Sequence, residues 1–372
     1  MRNILLGLAL FAGLFCYGQQ NIHIEIEKLF KAQLEKENIK SGILHVYSKS
    51  NGIDIQLAES EEDSISINSP FYTASVTKML TATAIGILKD DNKLKFEDKI
   101  AKYLPKNLMH NLHVLDEKDY SKELTITHLL QHTSGLPDYF TDKTNDESPN
   151  IINQLLMNPN KSWTAEEMIL FTKEKMKPHF VPGTDYHYTD TEYVLLALII
   201  EKINGLPLDE FFKQYFFQPL KMNSSFINLK SSPIDNTLPM AKFYVGDIEL
   251  SSIKSLTADW GGGGLVSTTQ DLIKFSKAFN NDLIISKETR LAMQNWVHET
   301  KGIQYGFGIR KISINKLTDT ETDLELIGHS GSTASFLWYS PQLDVYISGT
   351  LNQLEASKSA LILVYNILNV IN

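Results

Sequence analysis

The chain has 372 residues, 42% hydrophobic and 21% charged, the composition of an ordinary folded protein rather than a disordered one. A formal net charge of −9, with no dense lysine or arginine run, excludes a nucleic-acid partner, because phosphate binding draws on basic patches. The only cysteine is Cys16, so a disulfide framework and a cysteine-based zinc site are excluded as well.

Residues 1–18 read as a secretory leader: Arg2 supplies the positive start, Leu5 to Phe15 the apolar run, and Cys16 and Gly18 the small residues before cleavage. The run is too short to span a bilayer, which takes a helix of about 20 residues. Phe15 is bulkier than the residue that precedes a lipid-anchored cysteine, so Cys16 is assigned to the leader and not to an anchor. The expected product is periplasmic or secreted, with no stable membrane span.

Ile22 to Asn38 has apolar residues at helical spacing. Ile43–Ser48 and Ile53–Ala58 follow as strands joined across Asn51-Gly52, where both positions tolerate positive φ. Val76–Leu88 is a helical run. Thr141–Pro149 is a polar loop, and capping boxes at Thr164–Glu167 and Ser267–Gln270 each open a helix. Thr191–Lys202 is a strongly apolar helix stopped by Asn204-Gly205. Tyr305–Ile309, Leu324–Gly328, Ser335–Tyr339 and Val345–Leu351 are strands, and Glu355–Ile371 is a helix that packs on them. Strands at both ends with helices between them describe one sheet completed late around an inserted helical domain. The expected division is a catalytic domain over 19–372, with a sheet part at about 19–75 and 255–372 and a helical part at about 76–254.

Ser-x-x-Lys occurs three times, at Ser75/Lys78, Ser251/Lys254 and Ser313/Lys316. Only Ser75 opens a helical run, where free backbone N–H groups and the helix dipole favour negative charge. Lys78 lies one turn on, on the same face. A hydroxyl needs a neighbouring base to become a nucleophile, and a partly buried lysine with a lowered pKa can serve in that relay. Tyr188-Thr189-Asp190 stands at the mouth of the Thr191 helix. Beside an ammonium, Tyr188 would ionise more easily and could act as general base and then general acid. Gly328-His329-Ser330-Gly331-Ser332 lies between two strands, where small residues let a substrate lie along a strand edge. The amides of Ser75 and Ser332 could then form an oxyanion hole. Taken singly, these are also an N-cap serine, a tyrosine packed at a helix entrance and a tight turn.

In this chain order the three elements resemble the serine β-lactamase and penicillin-binding protein family, in the branch of class C β-lactamases, D-alanyl-D-alanine carboxypeptidases, D-aminopeptidases and esterases. Ser75-Val-Thr-Lys78 is similar to its Ser-x-x-Lys motif, Tyr188-Thr-Asp190 to its Tyr-x-Asn, and His329-Ser-Gly331 to its Lys-Thr-Gly or His-x-Gly. Leu124–Leu136 and Trp260–Thr268 add to the likeness. The resemblance implies an α+β fold of the β-lactamase/transpeptidase kind: an antiparallel sheet flanked by helices, an inserted all-helical domain, and the site in the cleft between them. It implies an acyl-enzyme hydrolase using Ser75, Lys78 and Tyr188, with Asp190, His329, Ser330 and Gly331 toward the substrate and no cofactor or metal. The implied substrate is a small peptide, amide or ester, with cell-wall peptides first, small esters or amides second and β-lactams third. Two departures weaken the hold on a substrate carboxylate: Asp190 stands in place of asparagine, and His329 in place of lysine. The rival expectation is a silent scaffold that keeps the fold without the reaction.

His128 and His132 are four apart, a zinc-like spacing, but without an accompanying Glu they read as cap or core residues. Gly261–Gly264 lacks the Gly-Lys-Ser/Thr ending of a phosphate loop and reads as a close-packed turn. Phe211, Phe212, Tyr215 and Phe216 read as core, and Tyr139 as a residue at the cleft.

Overall fold

The computed structural model describes residues 19–36, 39–61, 64–235 and 238–372, so the leader-like segment 1–18 lies outside the described residues. Its main sheet has eight antiparallel strands: β1 (Ser41–Ser48), β2 (Ile53–Ser60), β3 (Val297–Thr300), β4 (Ile303–Tyr305), β5 (Arg310–Ser313), β6 (Glu325–Ser330), β7 (Phe336–Ser340) and β8 (Val345–Thr350). Their order is β3-β4-β5-β6-β7-β8-β1-β2. The first and last strands therefore meet in the sheet, with Ile43 opposite Thr350. Everything between β2 and β3 is an excursion from this sheet.

Strand periodicity sorts the core into two layers. Leu44 and Val46 point to one face, where they join Ile26 and Phe30 of helix α1 (residues 19–34) and Leu363, Val364 and Ile367 of the C-terminal helix. Ile43 points to the other face, toward the core that runs into the excursion. That core is built on α2 (Thr77–Asp90), α3 (Asp190–Asn204) and α4 (Thr269–Asn280), and α5 (Ser357–Ile371) completes the opposite layer. Phe211, Phe212 and Phe216 are fully buried there, with Tyr215 packed against them.

Several expected boundaries move for local reasons. The β1–β2 hairpin closes over four residues, and only Gly52 takes positive φ, at 65°. The expected strand Tyr305–Ile309 is cut by a turn at 306–309, with Gly308 at φ 68°, so it becomes the end of β4 and the approach to β5. The strand β3 was not expected; its residues alternate between half-buried and exposed, the pattern of an edge. At the second expected capping box the helix is capped one residue later, by a single bond: Thr268, not Ser267, accepts the N–H of Asp271 to open α4. The box at Thr164 forms as expected. Gly205, at φ 75°, closes α3. The stretch expected to be all-helical also carries two short ladders, Val114–Leu115 with Lys118–Asp119 and Tyr244–Val245 with Ile248–Glu249.

A small three-stranded sheet sets up the site. Phe71–Tyr72 pairs with Leu265–Ser267, which also pairs with Phe226–Ile227. Phe71–Tyr72 runs directly into the turn holding Ser75, and Leu265–Ser267 follows directly on the glycine run.

Candidate active site

Ser75 sits in a 3₁₀ turn, Ala74–Val76, that leads into α2. Ala74 before it has φ 45°, a left-handed conformation that costs a non-glycine residue of order 1–3 kcal/mol and persists only when its surroundings over-determine it. Here they do. Thr77 Oγ1 donates to the Ala74 carbonyl (2.7 Å), Ser335 Oγ to the Thr73 carbonyl (2.7 Å), and Thr333 Oγ1 to the Tyr72 carbonyl (2.8 Å). Leu265 N–H closes the ring by donating to Thr77 Oγ1 at 3.0 Å. Gly331 completes the fit, because a Cβ there would meet the Thr73 carbonyl at 2.3 Å.

Lys78 is fully buried, and its ammonium donates to three oxygens: Asp190 Oδ1 at 2.5 Å, the Gly262 carbonyl at 3.0 Å and Ser75 Oγ at 3.3 Å. Burial alone would lower its pKa, but the Asp190 carboxylate and the Tyr188 hydroxyl more than offset that, and the net direction is upward. Lys78 therefore rests charged, a correction to the expectation of a lysine with a lowered pKa. The glycine run makes this contact possible. A Cβ on Gly262 would lie 2.3 Å from Asp190 Oδ1, and one on Gly261 2.6 Å from the Ala197 Cβ. The close-packed turn expected at 261–264 is thus one face of the lysine pocket.

The Tyr188 ring lies under the Lys78 ammonium, 4.9 Å from Nζ to the ring centroid, and under the Arg310 guanidinium, 5.0 Å away. Its hydroxyl is buried and meets no partner at good hydrogen-bond geometry. Burial pushes its pKa up, against the pull of Lys78, and burial wins. Tyr188 thus rests as the phenol, a second correction, since a neighbouring ammonium alone was expected to ease its ionisation. Behind it, the His132 ring packs on Tyr188, Tyr193 and Tyr305 at centroid distances of 4.3, 5.3 and 4.6 Å. His132 Nδ1 is held by Glu192; burial pushes the histidine down and the glutamic acid up. His128 takes part in the cap at Thr125. Both histidines have the cap and core places their sequence suggested.

A cavity of about 240 Å³ opens beside Ser75 and is lined by Tyr188, Asp190 and Ser332. Its apolar wall includes Phe140, Ile152, Leu155, Phe243 and Leu250. Two further carboxyl groups line it that the sequence analysis did not assign, Asp138 and Asp259. Asp138 Oδ1 accepts the Asp190 N–H at 3.0 Å, and Asp259 Oδ2 accepts the Tyr72 hydroxyl at 2.7 Å. Burial, with the Asp190 charge adding to it, raises Asp138 to about 6. Burial also raises Asp259 to about 7, against the bond from Tyr72. Among the described residues, no lysine, arginine or histidine lines the cavity.

The other expected substrate contacts are placed differently. His329 is fully buried, with Nε2 at 3.1 Å from the Tyr305 hydroxyl and Nδ1 at 2.6 Å from the Ser330 carbonyl, so its ring faces the interior and not the cavity. His329 is on β6 with its ring turned inward, whereas Ser332 lies in the turn after the strand and faces the opening. Gly331 is packed against Thr73 and Ala74, and Ser330 is half-buried outside the cavity lining. Tyr139 is buried with its hydroxyl on the Ala258 carbonyl, and its neighbour Phe140 reaches the cavity instead. Ser251 lies in a turn, while Ser313 ends β5 and is the N-cap of the short helix Ile314–Thr318, which corrects the expectation that only Ser75 opens a helical run; neither serine lines the cavity.

Comparison with known proteins gives a consistent picture. The profile of the Beta-lactamase family matches residues 27–370. Penicillin-binding protein 4* of Bacillus subtilis is 31% identical over 316 residues, 78% of this chain and 63% of its own length. N-acetylmuramyl-L-alanine amidase of the same organism is 30% identical over 159 residues, 42% of this chain and 33% of its own length. The chain thus spans less than two thirds of either relative. Among solved structures, D-amino acid amidase from Ochrobactrum anthropi SV3 superposes with a TM-score of 0.77 at 20% identity, covering 94% of this chain and 98% of the amidase chain, which is a likeness of fold.

Proposed function

Because the chain belongs to the Beta-lactamase family, we propose that it is a serine hydrolase that works through an acyl-enzyme on Ser75, and that it acts on a peptide, amide or ester outside the cytoplasm. One observation carries the reading: a buried, charged Lys78 donates to Ser75 Oγ in a cavity that Tyr188 also lines. Export rests on residues 1–18 alone.

The resting charges shape the chemistry. With Lys78 protonated and Tyr188 neutral, neither is a free base, so Tyr188 serves as a shuttle. Ser75 Oγ bonds to the substrate carbonyl carbon as its proton passes to the Tyr188 oxygen. The phenol proton passes to the leaving amine or alcohol, and the bond from carbon to leaving group breaks. Lys78 stabilises the negative charge that develops on the two oxygens without giving up a proton. The backbone N–H groups of Ser75 and Ser332 face the carbonyl oxygen in this scheme. Deacylation runs the shuttle in reverse: a water oxygen bonds to the acyl carbon as its proton goes to Tyr188, the phenol proton returns to Ser75 Oγ, and the bond from the acyl carbon to Oγ breaks to release the acid.

The cavity favours esters and amides over substrates with a free carboxylate. Asp138, Asp190 and Asp259 line it and, among the described residues, no basic side chain does, so a D-Ala-D-Ala terminus or a β-lactam carboxylate would find no cation there to pair with. Peptides of the cell wall stay in the proposed range through their amide-capped or amine-bearing forms, in keeping with the names of the relatives. The test is a fluorophosphonate label mapped to Ser75, followed by turnover of a nitrophenyl ester, a D-amino acid amide, a D-Ala-D-Ala peptide and a chromogenic cephalosporin. Ester and amide turnover should lead, and all of it should vanish in Ser75→Ala. Labelling elsewhere, or none, sinks the enzymatic reading, and efficient cephalosporin turnover that depends on Ser75 sinks the substrate ranking.

A further inference from the structure

Three side chains just beyond the cavity converge on one point. Asp142 Oδ2 lies 2.7 Å from His179 Nε2 and 2.8 Å from His187 Nε2. The same oxygen accepts the Asp138 N–H at 2.7 Å, so three donors crowd an atom with two lone pairs. The two imidazole rings lie close, with centroids 3.9 Å apart and planes tilted by 40°. All three donor atoms lie within 4.8 Å of one another, and the side chains are half-buried or exposed, so an ion and its waters could reach them.

The frame around the cluster is fixed by backbone bonds. His179 N–H donates to the Gly135 carbonyl at 2.8 Å, Gly183 N–H to the Thr133 carbonyl at 2.7 Å, and His187 N–H to the His132 carbonyl at 2.9 Å. The two histidines thus stand at either end of a loop laid along residues 132–135, already aimed at the same carboxylate. Two imidazole nitrogens and one carboxylate oxygen, with room for water, form a donor set that suits Zn²⁺. Bonds of 2.0–2.1 Å to a tetrahedral ion would separate its ligands by roughly 3.3 Å, an opening of about half an ångström from the contacts present. The two imidazole N–H bonds to one oxygen would then give way to a cation shared among the three ligands, with the Asp138 N–H still on the carboxylate.

We propose that Asp142, His179 and His187 form a divalent-metal site, best matched to Zn²⁺, that pins residues 138–142 to the segment ending at Tyr188. The ion makes no contact with substrate. It acts on stability, holding together two segments that carry Asp138, Tyr188 and Asp190, and it is independent of whether Ser75 is a nucleophile.

The experiment uses the full chain without a polyhistidine tag, stripped with EDTA and titrated with Zn²⁺ by calorimetry, with Co²⁺ as a spectroscopic probe. The expected result is one ion per chain, visible Co²⁺ absorption bands, and a thermal midpoint several degrees higher with Zn²⁺ than in EDTA. His179→Gln and His187→Gln each keep an N–H donor near Asp142 but weaken the metal site. They should match the wild type's midpoint in EDTA while losing the Zn²⁺ shift and the cobalt bands. Failure of the wild-type chain to bind, or binding unchanged in both glutamine variants, overturns the proposal.

Discussion

Two ion pairs in this molecule have nearly the same contact and opposite settings. Lys78 and Asp190 meet at 2.5 Å with side-chain exposures of 0% and 13%, whereas Lys301 and Asp319 meet at 2.9 Å with exposures of 66% and 78%. In the first, water is replaced by Gly262, Tyr188 and Tyr193, and the field between the charges is screened little. In the second, solvent surrounds both partners. Short distance alone therefore says little; what surrounds the pair decides whether it can hold a proton, shape a pocket or do almost nothing.

The largest effect should come from breaking the buried pair. Lys78→Met keeps the stem and removes the ammonium, leaving the Asp190 charge without its counter-ion. The expected loss of stability is about 3–5 kcal/mol. Turnover of an ester substrate should fall roughly a thousand-fold, since the developing negative charge loses its nearest cation. Denaturant titration and steady-state kinetics on the same preparation separate the two losses. A variant that is stable and active would mean that the pair is ornamental.

Asp190→Asn keeps an acceptor but removes the charge, so it should cost less. Its sharper reading is in pH. Burial pushes the Lys78 ammonium down and Asp190 holds it up, with the net shift upward. Without the carboxylate, burial prevails and Lys78 loses its proton at lower pH. If the charged form supports catalysis, the alkaline fall in kcat/KM moves to lower pH in the variant, by at least about one unit. Should a rising acid limb move down instead, with better turnover at neutral pH, Lys78 acts as a free amine and the shuttle scheme is wrong.

How much of this could be seen in the sequence depends on how local each feature is. Ser75 and Lys78 are one helical turn apart, and a spacing of three is visible in any sequence window. Glycines 261–264 were legible as close packing, but not as packing against Asp190, because that neighbour is about 70 residues away along the chain. Asp138 and Asp259 gave no signal, since nothing in their flanking residues shows that both carboxyls line one cavity. His329 was misplaced toward the substrate because nothing local shows that the strand ends at Ser330 and that the turn beyond it, at Ser332, is what faces the cavity. The missed strand Val297–Thr300 is an edge with half its residues exposed, so its apolar alternation is faint. His179 and His187 lie eight apart in a loop, where neither helical nor strand periodicity applies, and only the fold brings them to one carboxylate.

Gly262→Ala tests the pair from the outside. The added Cβ would lie 2.3 Å from Asp190 Oδ1 and 3.4 Å from Lys78 Nζ, so the carboxylate must move. Overpacking of this kind costs about 1–3 kcal/mol. Because the displaced group is the partner of Lys78, kcat should fall more than KM rises. An equal change in both would indicate a general loosening and not a shifted pair.

The smallest effect should come from Lys301→Ala. Lys301 sits in the turn between β3 and β4, and Asp319 follows the short helix Ile314–Thr318 in a left-handed conformation at φ 56°. Both ammonium contacts, to Oδ1 and Oδ2, are 2.9 Å, which is as good a geometry as a lysine offers. Yet holding two long exposed side chains in one arrangement costs entropy comparable to the screened attraction. The expected change in unfolding free energy is within about 0.5 kcal/mol, and ester turnover should be unaltered. Raising the salt concentration should leave even that difference near zero, because the Debye length at 1 M is about 3 Å. A loss of several kcal/mol at this surface pair would mean that contact geometry, and not burial, sets the strength of ion pairs here, and the contrast with Lys78 and Asp190 would lose its basis.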